Sequence, residues 1–234
     1  MGEIWESVRA ACGLILSFDA TLIDITARSL QVSGTAVLIA AFLGIPFAAW
    51  LAVTRWRGRR FMVAVMNALM GLPPVVVGLI VYLMLSRAGP FGVFNLLFTP
   101  GAMIIAQVII VTPLVASIAH QALRALWTEY HDFLVSLDTT TWQRVQTVIW
   151  DARRQLLTSI LAGFGRAFGE VGAIMIVGGN IDQLTRVLTT AISLETSKGN
   201  FALALALGIV LILLALSVSL FSHLVSRRRR PRLA

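Results

Sequence analysis

Arg166 and Glu170 are the residues whose types and spacing most directly invite chemistry. They stand four apart in Phe164-Gly165-Arg166-Ala167-Phe168-Gly169-Glu170-Val171-Gly172, so on a helix they face each other across one turn and can pair. The surrounding run is apolar, and a helix starting near Leu156 carries the pair roughly 15–20 Å inward at 1.5 Å per residue. Ionisable groups at such a depth in a membrane face a bundle interior or a water path and are functional candidates. A structural pair beside a path and a direct contact to a translocated solute both fit. Two rival chemistries use the same residues. A proton relay in a secondary transporter would bring paired repeats with matching broken segments, but only one double-proline break is evident. An intramembrane enzyme would add His120, yet no nucleophile or metal cluster accompanies it. His120 reads as hydrogen-bonded structure, with no His or carboxylate at metal-ligand spacing. Gly163, Gly165 and Gly169 miss the dinucleotide spacing, and the chain has no glycine-lysine-serine phosphate loop. No catalytic residue, no metal and no cofactor are expected on this chain.

The elements that must position these residues are membrane helices. Of 234 residues, 58% are hydrophobic and 13% charged, and the mean hydropathy is +0.86. A soluble domain carries about a quarter charged residues. The net charge of +8 fits the excess of Lys and Arg on the cytoplasmic side of membrane proteins and does not call for nucleic acid. The single cysteine, Cys12, excludes an internal disulfide. Glu3 and Glu6 argue against a cleavable signal peptide.

Residues 1–28 are expected to hold an N-terminal interfacial helix, Ile4–Phe18, although a sixth span there is the alternative. Residues 29–225 form the transmembrane part, with spans of about 20 apolar residues. These are Leu30–Thr54, Phe61–Ser86, Gly101–Leu126, a fourth from about Leu156 to Asn180, and Phe201–Val225. Pro73 and Pro74 must break the second span, because two prolines remove two donors and push the residue before each out of the helical basin. Such a break in lipid needs protein or a water-filled cavity around it, which makes it a candidate path element. Residues 226–234 form a basic tail. With Arg55–Arg60, the loop 128–154 and this tail inside, five spans alternate without conflict and the C-terminus is cytoplasmic. The fold class is therefore an all-α integral membrane protein with about five transmembrane helices.

The loop 128–154 is the largest polar segment. Tyr130, Phe133, Leu134 and Leu137 fall on one helical face, and Trp142, Val145, Val148 and Ile149 on another. Between them lies Asp138-Thr139-Thr140-Thr141, and Thr140 with Gln143 matches a capping box. Two short amphipathic helices at an angle either plug a groove on a partner or fold back on the membrane surface.

These residues resemble the permease subunit of type I ABC importers. Where that family has a Glu-Ala-Ala stretch and a later glycine, this chain has Asp132-Phe133-Leu134 and Asp138. Pro73-Pro74-Val75-Val76-Val77-Gly78, Arg87-Ala88-Gly89-Pro90 and Gly165–Ala173 resemble the molybdate/tungstate branch. Val177-Gly178-Gly179-Asn180-Ile181 and Thr185-Arg186-Val187-Leu188-Thr189-Thr190-Ala191-Ile192 look like tungstate permeases. The resemblance implies a multi-pass protein of a prokaryotic plasma membrane, paired with a second copy of itself. It also implies an ABC ATPase dimer that uses ATP-Mg, an extracytoplasmic tungstate-binding protein, and alternating access. Asp132, Phe133, Leu134, Leu137, Asp138 and Trp142 would form the ATPase-coupling loop. Pro73, Pro74, Arg166, Glu170, Asn180, Thr185, Arg186 and Thr189 would line or support the path, where an oxyanion needs donors without a deep trap.

Overall fold

A computed structural model describes residues 2–17 and 19–227, with side chains described at Trp5 and, Phe18 apart, from Val8 to Phe221. Most of the expected basic tail lies outside the described residues. The described chain is helical, with no strand: α1 Gly2–Leu16, α2 Ala20–Val53, α3 Arg59–Leu69, α4 Pro74–Leu85, a 3-10 turn Gly92–Phe94, α5 Pro100–Ser136, α6 Thr141–Phe168, α7 Gly172–Gly178, α8 Leu188–Ser197 and α9 Phe201–Arg227. Three helices, α2, α5 and the stretch Phe201–Phe221 of α9, are long and apolar enough to cross a bilayer. The count is five when α3 with α4 and α6 with α7 are each taken as one bent span.

Helix α2 starts at Ala20, ten residues ahead of the expected Leu30. Asp19 caps it, its Oδ1 accepting the amides of Thr21 (2.9 Å) and Leu22 (3.2 Å). Asp24 and Arg28 pair at 2.8 Å one turn apart, so both charges are carried within the helix. The break before α4 follows the two prolines. The amides of Met70, Gly71 and Leu72 bond three residues back, which tightens and ends α3. Pro73 is extended at φ −64°, ψ 120°, and Pro74 opens α4 where a missing donor costs nothing.

The chain divides into two compact units. The first comprises Met1–Ala36, Pro73–Gln107 and Arg166–Ser217. In it α4 approaches α7 closely at two glycines. A Cβ on Gly78 would stand 2.7 Å from the Ala173 Cα, and one on Gly172 would stand 2.7 Å from Val75 Cγ2. Small residues let helix backbones meet this closely in lipid. At the far end of α8, the buried Glu195 accepts Lys198 Nζ (2.8 Å) and Asn200 Nδ2 (3.0 Å). The Lys198 hydrogen bond outweighs burial and holds this carboxyl below its ordinary range.

The second unit comprises Val37–Leu72, Val108–Gly165 and Val218–Ala234. Its core gathers Ala48, Ala52, Met66, Leu123, Trp127, Leu134, Val145, Val148 and Leu156. Helix α5 runs unbroken to Ser136, so the first expected short helix is its last turns, and the second is the start of α6. Thr128 is accommodated inside α5 with its hydroxyl donating to the Arg124 carbonyl (3.0 Å), one turn back. The turn between the helices carries the expected capping box. Gln143 Oε1 accepts the Thr140 amide (2.8 Å), and Thr140 Oγ1 accepts the Gln143 amide (3.3 Å). Asp138 takes φ +50° there, a left-handed conformation.

Three outcomes follow from this packing. Gly78→Val forces α4 off α7 and lowers stability by about 1–3 kcal/mol, read as a fall in melting temperature in detergent. Asp138→Val costs about 1–2 kcal/mol, because a β-branched residue resists φ > 0, whereas Asp138→Gly holds or raises the melting temperature. A depressed Glu195 pKa contributes stability that is full above the unfolded value of about 4.3 and is lost as pH falls through the lower folded value. Melting curves from pH 6 down to about 3 check this, and Glu195→Gln flattens that acid limb.

Candidate translocation path and coupling surface

The first unit builds its polar centre around the interruption between α6 and α7. Arg166 lies in the last turn of α6, and Glu170 in the break just beyond. Arg166 Nη1 donates to Glu170 Oε2 at 2.8 Å, so the expected pair forms although the helix ends at Phe168 between them. Glu170 is buried and Arg166 half-buried. The other carboxylate oxygen, Oε1, accepts the Ala173 amide (3.2 Å) at the start of α7. The Glu170 carbonyl accepts the Thr189 hydroxyl (2.8 Å), which ties α8 to the break.

Gln107 on α5 is fully buried, and its Nε2 donates to the Ala167 carbonyl (3.0 Å) and to Ser33 Oγ (3.4 Å). Neither Gln107 nor Ser33 stood out among the candidate residues. The only local signal was an amide inside an otherwise apolar span. Nothing local singles out Ser29 either: its Oγ accepts the Leu188 amide at 2.7 Å and so caps α8 from 159 residues away in sequence.

The remaining candidates occupy the turn from α7 to α8. Thr185 is fully buried, donating to the Gly178 carbonyl (2.6 Å) and accepting the Ile181 amide (2.9 Å), so its hydroxyl fastens the turn. Asn180 sits at φ +53°; its Nδ2 donates to the Thr190 carbonyl (3.4 Å), while its buried Oδ1 has no partner. Arg186 pairs with Asp182 at 2.8 Å. Pro73 and Pro74 open α4, whose Val75 lies against Gly172 just after the break. The structure therefore brings Arg166, Glu170 and Thr189 together, and groups Asn180, Thr185 and Arg186 in a second cluster. Arg166 keeps donors beyond the one used on Glu170, and the pair is neutral overall. Such a site can offer hydrogen bonds to an anion without a net charge to trap it.

In the second unit, the α5–α6 turn sorts its apolar residues into two sets. Leu134, Val145 and Val148 join the core around the buried Trp127. Phe133 (65% exposed), Leu137 (58%) and Trp142 (66%) face outward. Asp132 is exposed and holds His131 Nδ1 at 2.8 Å. Leu134 therefore anchors the turn, and the other coupling candidates form its outer surface.

Comparison with known proteins places this arrangement. Residues 44–231 match the family described as binding-protein-dependent transport system inner membrane component. A "Probable anion ABC transporter permease protein" of Haloferax volcanii is 42% identical over 184 residues, covering 76% of this chain and 79% of that protein. The "Tungstate uptake system permease protein TupB" of Peptoclostridium acidaminophilum is 39% identical over 204 residues, covering 87% and 90%. A chain of a bacterial alginate ABC transporter, solved in complex with an alginate-pentasaccharide-bound periplasmic protein, shares the fold. Its TM-score is 0.72 at 18% identity, covering 92% of this chain and 82% of that one. Secondary transport and intramembrane catalysis fall away. The chain belongs to the binding-protein-dependent inner-membrane components, as the non-catalytic permease subunit of an ABC importer whose ATPase is a separate chain.

Proposed function

We propose that this chain forms, as a homodimer, the translocation path of a tungstate importer in a prokaryotic plasma membrane. The observation that carries the substrate is the 39% identity to a tungstate uptake permease over nearly the full length of both chains. In this reading an extracytoplasmic binding protein delivers the anion, and two ATPase subunits sit beneath. The C-terminus and the loop 128–154 face the cytoplasm. The exposed Phe133, Leu137 and Trp142, with Asp132 and Asp138, dock in a groove of the ATPase, and Leu134 fixes the turn to the core beneath them. ATP closes the ATPase dimer, draws the two turns together and reopens the spans outward.

Within the path, Arg166 offers donors to the passing oxyanion, and Glu170 and Thr189 hold its helix end. Pro73 and Pro74 keep α4 broken beside α7. Asn180, Thr185 and Arg186 shape the α7–α8 turn. Molybdate has the same charge and a similar tetrahedral shape, so discrimination rests mainly on the binding protein.

The test is ATP hydrolysis by the co-expressed permease and ATPase in liposomes, with binding protein present and tungstate, molybdate, sulfate or nothing added. Tungstate stimulates most, and Phe133→Ala with Leu137→Ala abolishes stimulation while the permease still folds. Equal stimulation by sulfate overturns the tungstate assignment and leaves a general oxyanion importer. Stimulation that survives the double substitution overturns the role of the turn.

A further inference from the structure

Away from the path and the coupling turn, the densest charge in the described chain is Arg55-Trp56-Arg57-Gly58-Arg59-Arg60, between α2 and α3. The excess of cations on the cytoplasmic side accounts for its composition. It does not account for its geometry.

Arg59 and Arg60 occupy the first two positions of α3, whose first turn has no acidic residue and whose N-cap, Gly58, has no side chain to offer. Cations there oppose the helix dipole, and the free amides of a helix start favour an anion. The Arg59 and Met62 amides bond back to Trp56 and Gly58. Those of Arg60 and Phe61 find no partner among the described residues.

Arg124 of α5 closes on the same place. Its Nη1 donates to the Ala52 carbonyl near the end of α2 (3.0 Å), and its charge, with those of Arg55 and Arg60, acts on Arg59. Among the described residues, none of these four arginines has a carboxylate within 4.0 Å. His120 lies one turn before Arg124, is only 7% exposed, and feels the charges of Arg59 and Arg124. Its buried Nε2 has no partner, and neither does the Nε of Arg59. Cationic and polar groups gather here with nothing on the described chain to neutralise them.

An aromatic strip leads to this cluster. Phe47 and Trp50 stack at 6.2 Å between ring centroids, Trp50 and Trp56 lie at 6.1 Å, and all three are exposed. The Trp56 ring folds over Gly58, where a Cβ would come within 2.0 Å of it. Exposed aromatic rings beside a basic cluster are characteristic of the membrane–water interface.

We propose that this turn binds the headgroup of an anionic phospholipid. The phosphate sits at the start of α3, held by its free amides and by Arg59, Arg60 and Arg124, and the acyl chains lie along Phe47, Trp50 and Trp56. A free oxyanion would use the same donors, but it has no use for the aromatic strip.

The test uses the full-length permease, delipidated in detergent, with native mass spectra and melting curves recorded against phosphatidylglycerol, phosphatidylcholine, or inorganic phosphate and tungstate. Phosphatidylglycerol binds in saturable fashion and raises the melting temperature, while phosphatidylcholine and the free anions do not. Each arginine near the surface contributes about 1 kcal/mol, or about fivefold in affinity. Arg60→Gln, at an exposed position that the fold tolerates, therefore weakens phosphatidylglycerol binding about fivefold, and Arg59→Gln with Arg60→Gln about 25-fold. Arg153→Gln, an exposed arginine elsewhere in the same unit, leaves it unchanged. Equal binding of both lipids, or retention of phosphatidylglycerol by Arg60→Gln and by the double variant, overturns the proposal. Saturable binding of phosphate or tungstate that Arg60→Gln weakens, without lipid selectivity, replaces the lipid with a free oxyanion.

Discussion

A backbone amide or carbonyl left open in hydrocarbon costs several kcal/mol, and the break between α6 and α7 would leave several open. Three of them are answered by specific side chains. Gln107 Nε2 takes the Ala167 carbonyl, Thr189 Oγ1 takes the Glu170 carbonyl, and the Glu170 carboxylate takes the Ala173 amide. That carboxylate is itself buried, and burying a lone charge is prohibitive unless it is paired. Arg166 supplies the pair at 2.8 Å. One ion pair and two neutral side chains thus make an interrupted helix tolerable in the first unit. A straight apolar helix would need none of them, and their presence marks the interruption as something the sequence maintains.

The interruption also decides how α7 packs. As a seven-residue helix, α7 has too few residues to hold itself by its own hydrogen bonds. Its stability must come from contact, and the glycine-mediated approach to α4 provides it. Gly78 lets the α4 backbone meet that of Ala173, and Gly172 leaves room for the Val75 side chain, giving dispersion contacts that longer side chains would prevent. The double proline serves the same end from the other side. By starting α4 at Pro74, it sets Val75 and Gly78 at the positions that meet α7.

What was legible in the sequence was local. Pro73-Pro74 announced a break because proline acts on its neighbours through the covalent chain. Thr140 and Gln143 announced a helix start because both halves of the capping box lie within one turn. Arg166 and Glu170 announced their pair for the same reason. What was not legible depended on distant residues. Nothing near Ser29 indicates that it caps α8, and nothing near Gln107 indicates that it serves a carbonyl 60 residues away. The helical face through Tyr130 and Leu137 is legible, but its continuity with α5 is not, because the change from apolar to polar composition near Thr128 looks like a boundary. The buried Trp127 and Leu134 carry one core across it. Residue type marks Thr185 as a donor, but type does not reveal that its hydroxyl is already committed twice.

The division of apolar residues at the α5–α6 turn bears on how a permease could respond to a motor beneath it. A surface that receives force must be exposed, and its attachment must not yield. Phe133, Leu137 and Trp142 meet the first condition, and Leu134, Val145 and Val148 meet the second by packing around Trp127. Arg144 adds its guanidinium over the Trp127 ring at 6.0 Å and bonds Thr139 Oγ1 at 3.1 Å, stitching the turn to the same core. Helix α6 then runs without interruption from Thr141 to Phe168, with Trp142 in its first turn and Arg166 in its last. In the proposed importer a push on Trp142 therefore reaches the helix end that carries the ion pair. At that end, Glu170 is held on both sides, by Arg166 on one carboxylate oxygen and by the Ala173 amide on the other, so its partners tie the last turn of α6 to the first turn of α7.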